Sequence, residues 1–258
     1  MNLRLIALGA GAVGFITALS ACGTEQQDPQ CVVARAVSDG STGSFAASYI
    51  LKAGQDASLA CAKLKPEPLG LQKYFNQDPA GNDTVGVRSA RMGSLLTTNA
   101  ARLSTEVPSD ANSVGQLTTS APGADNFCQV PVLSPARLKA EATSSGTGPS
   151  QPALSVTYEW SNLRIYNTPQ IPGTQFVADL KYTENDCTAE YQVKGIWPVV
   201  KCQNATTKLA DDALCDPRPD YSVGRLRGSG INPLFPVKCD PDVKICVLTG
   251  EVPSDKQP

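Results

Sequence analysis

LSVTYEWSNLRIY, spanning Leu154–Tyr166, is the stretch whose reading decides the fold. Leu154, Val156, Tyr158 and Trp160 alternate with Ser155, Thr157, Glu159 and Ser161. A period of two sends the two sets to opposite faces of an extended strand. The apolar register then moves to Leu163 and Ile165, so a β-bulge is expected near Ser161-Asn162. Pro169 to Gly173 makes a connection, after which Phe176, Ala178, Leu180 and Tyr182 alternate against Val177, Asp179 and Lys181. Ala189, Tyr191 and Val193 then alternate against Glu190, Gln192 and Lys194. Three successive strands, each with one wet face, predict an antiparallel meander.

Working outward, Ser44–Leu51 repeats the pattern, with Phe45, Ala47, Tyr49 and Leu51 on one strand face, preceded by a turn at Ser38–Gly43. Cys31–Val37, residues 58–65 and residues 70–76 read as further strands. Met92–Leu103 fits a short helix or a strand, and residues 104–127 read as polar loop. Lys201–Pro258 is loop-rich, with a helical turn expected at Asp211–Leu214 and a strand at Val243–Leu248. The 21 Gly and 20 Pro punctuate the chain as many short strands require. The fold class expected is mainly β: an antiparallel β-sandwich-like body with long loops, stapled by disulfides.

The staples follow from counting. Nine cysteines are an odd number for an oxidising compartment. Setting Cys22 aside leaves Cys31, Cys61, Cys128, Cys187, Cys202, Cys215, Cys239 and Cys246, an even set suited to disulfides. The pairing is open among on the order of a hundred arrangements. Only Cys239–Cys246 suggests itself, because its Pro-Asp turn would fold the ends together. Ser144–Pro152 is the clearest linker, and it divides the β-rich region 31–258 into candidate halves 31–143 and 153–258. Three of these cysteines precede the linker and five follow it, so full pairing within the chain requires a disulfide across it. The expectation is one body or two tightly stapled halves.

The leader explains why Cys22 stands apart. Gly9-Ala-Gly11-Ala-Val-Gly14 has the spacing of a dinucleotide-binding loop, but Leu5–Thr24 carries no charge with which a following helix could face water. Met1–Arg4 instead supplies a positive n-region, and Leu5–Ala18 is an apolar h-region too short to span a bilayer comfortably. Leu19-Ser-Ala-Cys22 resembles the lipobox of Gram-negative bacterial lipoproteins. The resemblance implies a signal peptide over residues 1–21, a diacylglycerol and an acylated amino terminus on Cys22, and a tether over residues 22–30. It also implies an address in the cell envelope. Gly23, where retention in the inner membrane usually takes an Asp, favours the outer membrane.

Composition narrows the chemistry. The chain has no histidine, so Ser-His-Asp and Cys-His machinery and imidazole metal ligation are excluded. A net charge of −2 without a basic block argues against nucleic acid as a partner. No cofactor motif survives, and the cysteine spacing offers no metal site. Asp211, Asp212, Asp216 and Asp220 crowd into one loop but lack the spacing of a calcium loop. Asp211-Asp212 and Asp240/Asp242 are carboxylate pairs, but a glycosidase needs two carboxyls facing one another across a sugar, which adjacency does not give, so they read as solvated loop acids. Trp160 continues an apolar face, Arg164 and Tyr166 fall on the opposite parity and are expected to be exposed together, and Trp197 reads as a turn anchor. The function expected is that of a lipid-anchored, non-catalytic envelope lipoprotein. Besides the membrane, its partner would be an envelope protein, a glycan or the cell wall, and the alternative is a histidine-free hydrolase using carboxylates.

Overall fold

The computed structural model describes residues 29–34, 44–78, 81–144 and 150–254. The leader, Cys22, most of the tether, the turn at 38–43 and the middle of the linker lie outside these residues. Among the described residues, nine strands form one antiparallel sheet: β1 (Ser44–Leu51), β2 (Glu67–Tyr74), β3 (Thr84–Ser89), β4 (Ser113–Gln116), β5 (Phe127–Val132), β6 (Ala136–Ala140), β7 (Leu154–Asn167), β8 (Pro172–Glu184) and β9 (Cys187–Ile196). Their order is β4-β3-β2-β1-β9-β8-β7-β5, and β6 pairs with the first half of β7 while β5 pairs with the second. The sheet curls until its ends meet. Thr118 N–H donates to the Gln129 carbonyl at 2.9 Å and Ser134 N–H to the Val114 carbonyl at 2.8 Å. The body is therefore mainly β and antiparallel, and the two layers of the expected sandwich are opposing walls of one nearly closed sheet. Strands from both sides of residues 144–152 belong to it, and Thr143 pairs with Gln151 across that stretch.

The core follows the sequence parity. Phe45 and Ala47 of β1, Tyr158, Trp160 and Leu163 of β7, Phe176, Leu180 and Tyr182 of β8, and Tyr191 and Val193 of β9 pack into one interior cluster. Tyr158 meets Tyr182 edge-on at 5.0 Å and lies 6.2 Å from Trp160, so aromatic contacts tie β7 to β8. The bulge sits where the register moves. Pairing of β7 with β8 shifts between Ser161 and Arg164, and Asn162 adopts φ 50°, a left-handed conformation that Asn accepts more readily than bulkier residues. Its side chain donates to Asp179 Oδ2 at 2.7 Å.

The remaining elements close the ends. Met92–Leu103 resolves as α1 (Ala90–Thr98) followed by a short 3-10 turn. Ser89 caps the helix by accepting from Met92 N–H at 3.1 Å, and Met92, Leu95 and Leu96 turn toward the interior. Residues 58–65 do not form a strand. They hold a 3-10 turn at Ala60–Ala62, pinned by the Cys61–Cys187 disulfide. Cys31–Ala34 is irregular, because its amides go to Ser120, Asn167 and Gly173 instead of a ladder. Residues 104–127 contain β4, a short strand at the seam.

A second core lies outside the sheet. Residues after Ile196 fold back over β7, β8 and β9, and Ile231, Phe235, Ile245, Val247 and Leu248 cover Ala46, Tyr166, Val177 and Ile196. The wet faces expected for β7–β9 are therefore partly dry. Tyr166 is 3% exposed, and Lys194 is buried with its ammonium bonded to Glu251 and the Gly250 carbonyl. Arg164 stays exposed, stacked 5.0 Å over the Phe127 ring, so it does not share a patch with Tyr166. Trp197 is partly buried against the interior cluster.

Among the described residues, four disulfides join Cys31–Cys128, Cys61–Cys187, Cys202–Cys239 and Cys215–Cys246. The expectation of a Cys239–Cys246 bond is corrected. These residues do face one another in the hairpin of β10 (Val237–Cys239) and β11 (Cys246–Leu248). Their sulfurs are taken by Cys202 and Cys215 instead, so the hairpin is stapled to the preceding loop and not to itself.

Candidate functional site

Two recesses merit a chemical reading, and β2 helps to build both. Along Glu67-Pro-Leu-Gly-Leu-Gln-Lys-Tyr74, odd positions point inward and even positions outward. Leu69 and Leu71 fill the interior, while Glu67 and Lys73 sit at its two mouths.

At the first mouth, Glu67 gathers donors from three elements. Tyr49 Oη donates to it at 2.6 Å, Ser89 Oγ lies 2.9 and 3.0 Å from its two oxygens, and Arg91 N–H donates at 2.6 Å. The carboxylate thus reinforces the N-terminus of α1, where amides want an acceptor. Burial raises the Glu67 pKa and outweighs the opposing hydrogen bonds from Tyr49, Arg91 N–H and Ser89. Beside it, Arg91 Nη2 donates to Glu184 Oε2 at 2.8 Å and to Tyr182 Oη at 3.2 Å, and Tyr182 Oη donates to Glu184 at 2.5 Å. Burial first, and then the hydrogen bond to Glu184, push the Tyr182 phenol up. The fully buried Tyr158 hydroxyl faces Ser89 and the Glu67 charge yet completes no hydrogen bond of normal geometry, and burial likewise raises its pKa. Glu67, Arg91 and Glu184 border a recess of about 370 Å³. Two carboxylates thus reach one cleft, but each is already engaged by the protein's own donors.

The larger recess, about 630 Å³, lies on the outer face of β2, β3 and β4. Its floor is low because Gly70 faces Arg88 and Gly86 faces Gln72 across the ladder, which places two glycines diagonally between larger residues. Tyr74 leans over Gly86, where a Cβ would come within 3.1 Å of its ring, and a Cβ on Gly93 of α1 would come as close to the Arg88 guanidinium. Tyr74 keeps 52% of its surface exposed. Gln72 and Asn112 add planar amides, and Pro68 and Val114 add apolar walls. The result is an open groove with an aromatic ring, a guanidinium and two amides around a glycine floor.

Cys22 lies outside the described residues. Cys31, Cys61, Cys128, Cys187, Cys202, Cys215, Cys239 and Cys246 are all in disulfides and border neither recess. The sulfurs of Cys202, Cys215 and Cys246 lie within 4.8 Å of one another, but bonded sulfur is not the thiolate a metal needs. The loop acids turn inward to their own backbone. Asp211, Asp216, Asp220 and Asp240 accept from amides two residues on, and Asp212 accepts from Cys239 N–H. They cap turns and do not converge on a common point. Glu67, Arg91, Glu184, Tyr74 and Arg88 went unnoticed in the sequence. The alternation in 67–74 places Glu67 on the face of Leu69 and Leu71, and that signal alone could have revealed it.

Comparison with known proteins places the chain. The MlpA family model matches residues 43–198, which take in β1 to β9. A Myxococcus xanthus protein bearing the name "Putative lipoprotein MlpA" is 31% identical over 265 aligned residues, covering 99% of this chain and 98% of the relative. No solved structure matches the chain.

Proposed function

The chain belongs to the MlpA family of bacterial lipoproteins, and from that premise we propose that it is a non-catalytic, lipid-anchored protein that holds a cell-wall polymer in its outer groove. Cys22 carries the lipid and Gly23 directs the mature protein to the outer membrane. Stable attachment follows from two or three acyl chains, since one alone holds a protein only marginally. One observation carries the binding reading: the larger of the two recesses is an open groove in which Tyr74, Arg88 and Asn112 are exposed, while Glu67 and Glu184 in the smaller one are tied down by neighbours. A wall polymer offers sugar faces to the Tyr74 ring, carboxylates to Arg88, and hydroxyl and amide groups to Gln72 and Asn112. Planar recognition of a carboxylate by Arg is the strongest of these contacts.

The test is co-sedimentation of the full protein, in mild detergent, with purified peptidoglycan sacculi. Tyr74→Ala and Arg88→Ala should each weaken binding by about tenfold, the loss of roughly 1.4 kcal/mol expected of an exposed anchor. Sacculi that fail to retain the protein, or retain both variants equally well, would refute the groove. Release of soluble sugar fragments abolished by Glu67→Gln would favour carboxylate hydrolysis instead, the reading that the meeting of Glu67 and Glu184 supports.

A further inference from the structure

One loop of the outer layer departs from the rule that large apolar side chains are buried. In Pro217-Arg-Pro-Asp-Tyr-Ser-Val-Gly-Arg-Leu-Arg227, Tyr221, Val223 and Leu226 are 73%, 74% and 72% exposed. Three such residues within six positions are not scattered surface apolars. The loop is also held in shape. Asp220 and Arg225 exchange backbone hydrogen bonds at 2.8 and 2.9 Å, and Gly224 takes a left-handed φ of 74° between them. Arg225 Nη1 donates to the Asp216 and Arg218 carbonyls. At its base, Ser229 N–H donates to the Asp216 carbonyl at 2.9 Å. The apolar side chains are therefore presented outward by an ordered scaffold.

The charges around them fit an anionic surface. Arg218 and Arg227 are exposed on either side of the apolar tip. The acids in the loop are engaged locally, Asp220 by Ser222 and Asp216 by the Arg218 amide, with Arg225 Nη2 at 4.0 Å from Asp216. Position in the fold adds an independent argument. The chain leaving the loop docks on the β7–β8 turn, where Asn232 Nδ2 donates to the Gln170 carbonyl at 2.9 Å. The strand of chain that emerges from the tether docks on the same turn, through Val32 N–H to Asn167 and Ala34 N–H to the Gly173 carbonyl. Loop and tether thus share one end of the molecule. The nine residues from Cys22 to Cys31 reach at most about 30 Å when fully extended, so a lipid on Cys22 holds the end of the molecule that bears Cys31 within that distance of the bilayer.

We propose that Pro217–Arg227 is a second membrane contact, in which Tyr221, Val223 and Leu226 enter the headgroup–acyl boundary and Arg218 and Arg227 meet anionic headgroups. The contact rests on the reading of Cys22 as the anchor, and it sets the domain's orientation on the membrane. The opposite end, with Cys61, Glu67 and α1, then faces away from the lipid.

The test reconstitutes the full lipoprotein in vesicles of phosphatidylethanolamine with phosphatidylglycerol, with and without brominated acyl chains. Retention of the protein on vesicles reports the anchor; fluorescence quenching reports the loop. Tyr221→Trp should be quenched by brominated lipid at least about twofold more than Leu59→Trp, which lies beside the Cys61 turn at the far end. Adding Val223→Asp with Leu226→Asp should abolish that excess without moving the thermal midpoint, since both positions are exposed. Arg218→Glu with Arg227→Glu should reduce it selectively in vesicles containing phosphatidylglycerol. Equal quenching at positions 221 and 59 in protein that stays on the vesicles overturns the contact while leaving the anchor intact. Crosslinking of the loop to an envelope protein without quenching also overturns it, in favour of a protein partner. Protein that leaves the vesicles overturns the anchor on which the contact rests.

Discussion

Replacing both members of the Cys61–Cys187 bond by alanine should destabilise the protein more than removing any disulfide of the outer layer. The bond joins positions separated by 126 residues and ties the Ala60–Ala62 turn to the start of β9. Closing a loop of that length in the unfolded chain is worth about 5 kcal/mol on the chain-entropy account. The Cys31–Cys128 bond overlaps this loop and shortens the effective path, and because the dependence on length is logarithmic the expected loss falls only to about 4.5 kcal/mol. Cys215–Cys246 spans only 31 residues and interlocks with Cys202–Cys239, so its removal should cost about 3 kcal/mol. A local effect adds to the difference. Tyr191 Oη donates to the Cys61 carbonyl and accepts from Leu64 N–H at 3.2 Å, bonds that loosen when the turn is released. Equilibrium unfolding in guanidinium chloride, with both double variants measured in the same detergent, gives the ranking directly. Equal midpoints for wild type and C61A/C187A, or a larger loss in C215A/C246A, would refute the reasoning.

Gly195→Ala should cost more than the roughly 1–3 kcal/mol of ordinary overpacking, because its Cβ would stand 2.0 Å from the buried Phe176 ring; thermal melting checks it, and an unchanged midpoint would show that Phe176 has room to move. Asn162→Val should cost about 1–2 kcal/mol at the bulge, since a β-branched residue resists φ 50° and the bond to Asp179 is lost; a neutral result in chemical denaturation would mean the bulge relaxes freely. Glu67 has a folded pKa above its unfolded value, so its protonation contributes stability that is fully present below the usual carboxylate range and is lost as pH rises through the folded pKa. Glu67→Gln forfeits acceptors for its donors at every pH, but its deficit relative to wild type should shrink as pH rises from about 4 to neutrality; a deficit that stays constant or grows over that range would contradict the raised pKa.

The central strands were legible because each has one interior face with large side chains. Tyr158, Trp160, Phe176, Tyr182 and Tyr191 leave no doubt about parity, and the shift to Leu163 and Ile165 marks the bulge at Asn162. Strands β3 to β6 were not, for reasons of length and composition. In β3, Thr-Val-Gly-Val-Arg-Ser offers two small apolar side chains and a glycine, and β4 has only four residues. Residues 58–65 mislead because Leu59 and Cys61 share one parity, while a disulfide and not a ladder holds them. The burial of Tyr166 and Lys194 was hidden because the cover comes from residues after Ile196, whose path only the Cys202–Cys239 and Cys215–Cys246 bonds reveal. The groove escaped notice for a related reason. It consists of missing side chains at Gly70 and Gly86, which read as weak strand positions until the ladder sets them diagonally beneath Tyr74 and Arg88.

Acylation of Cys22 is the claim on which the anchor, the envelope address and the orientation of the domain depend. Metabolic labelling with an alkyne fatty acid, followed by mass spectrometry of the amino-terminal peptide, measures it most directly. The account predicts label confined to a peptide beginning at Cys22, absent from Cys22→Ser. A mature protein that begins elsewhere, or one that carries no acyl label, would contradict it.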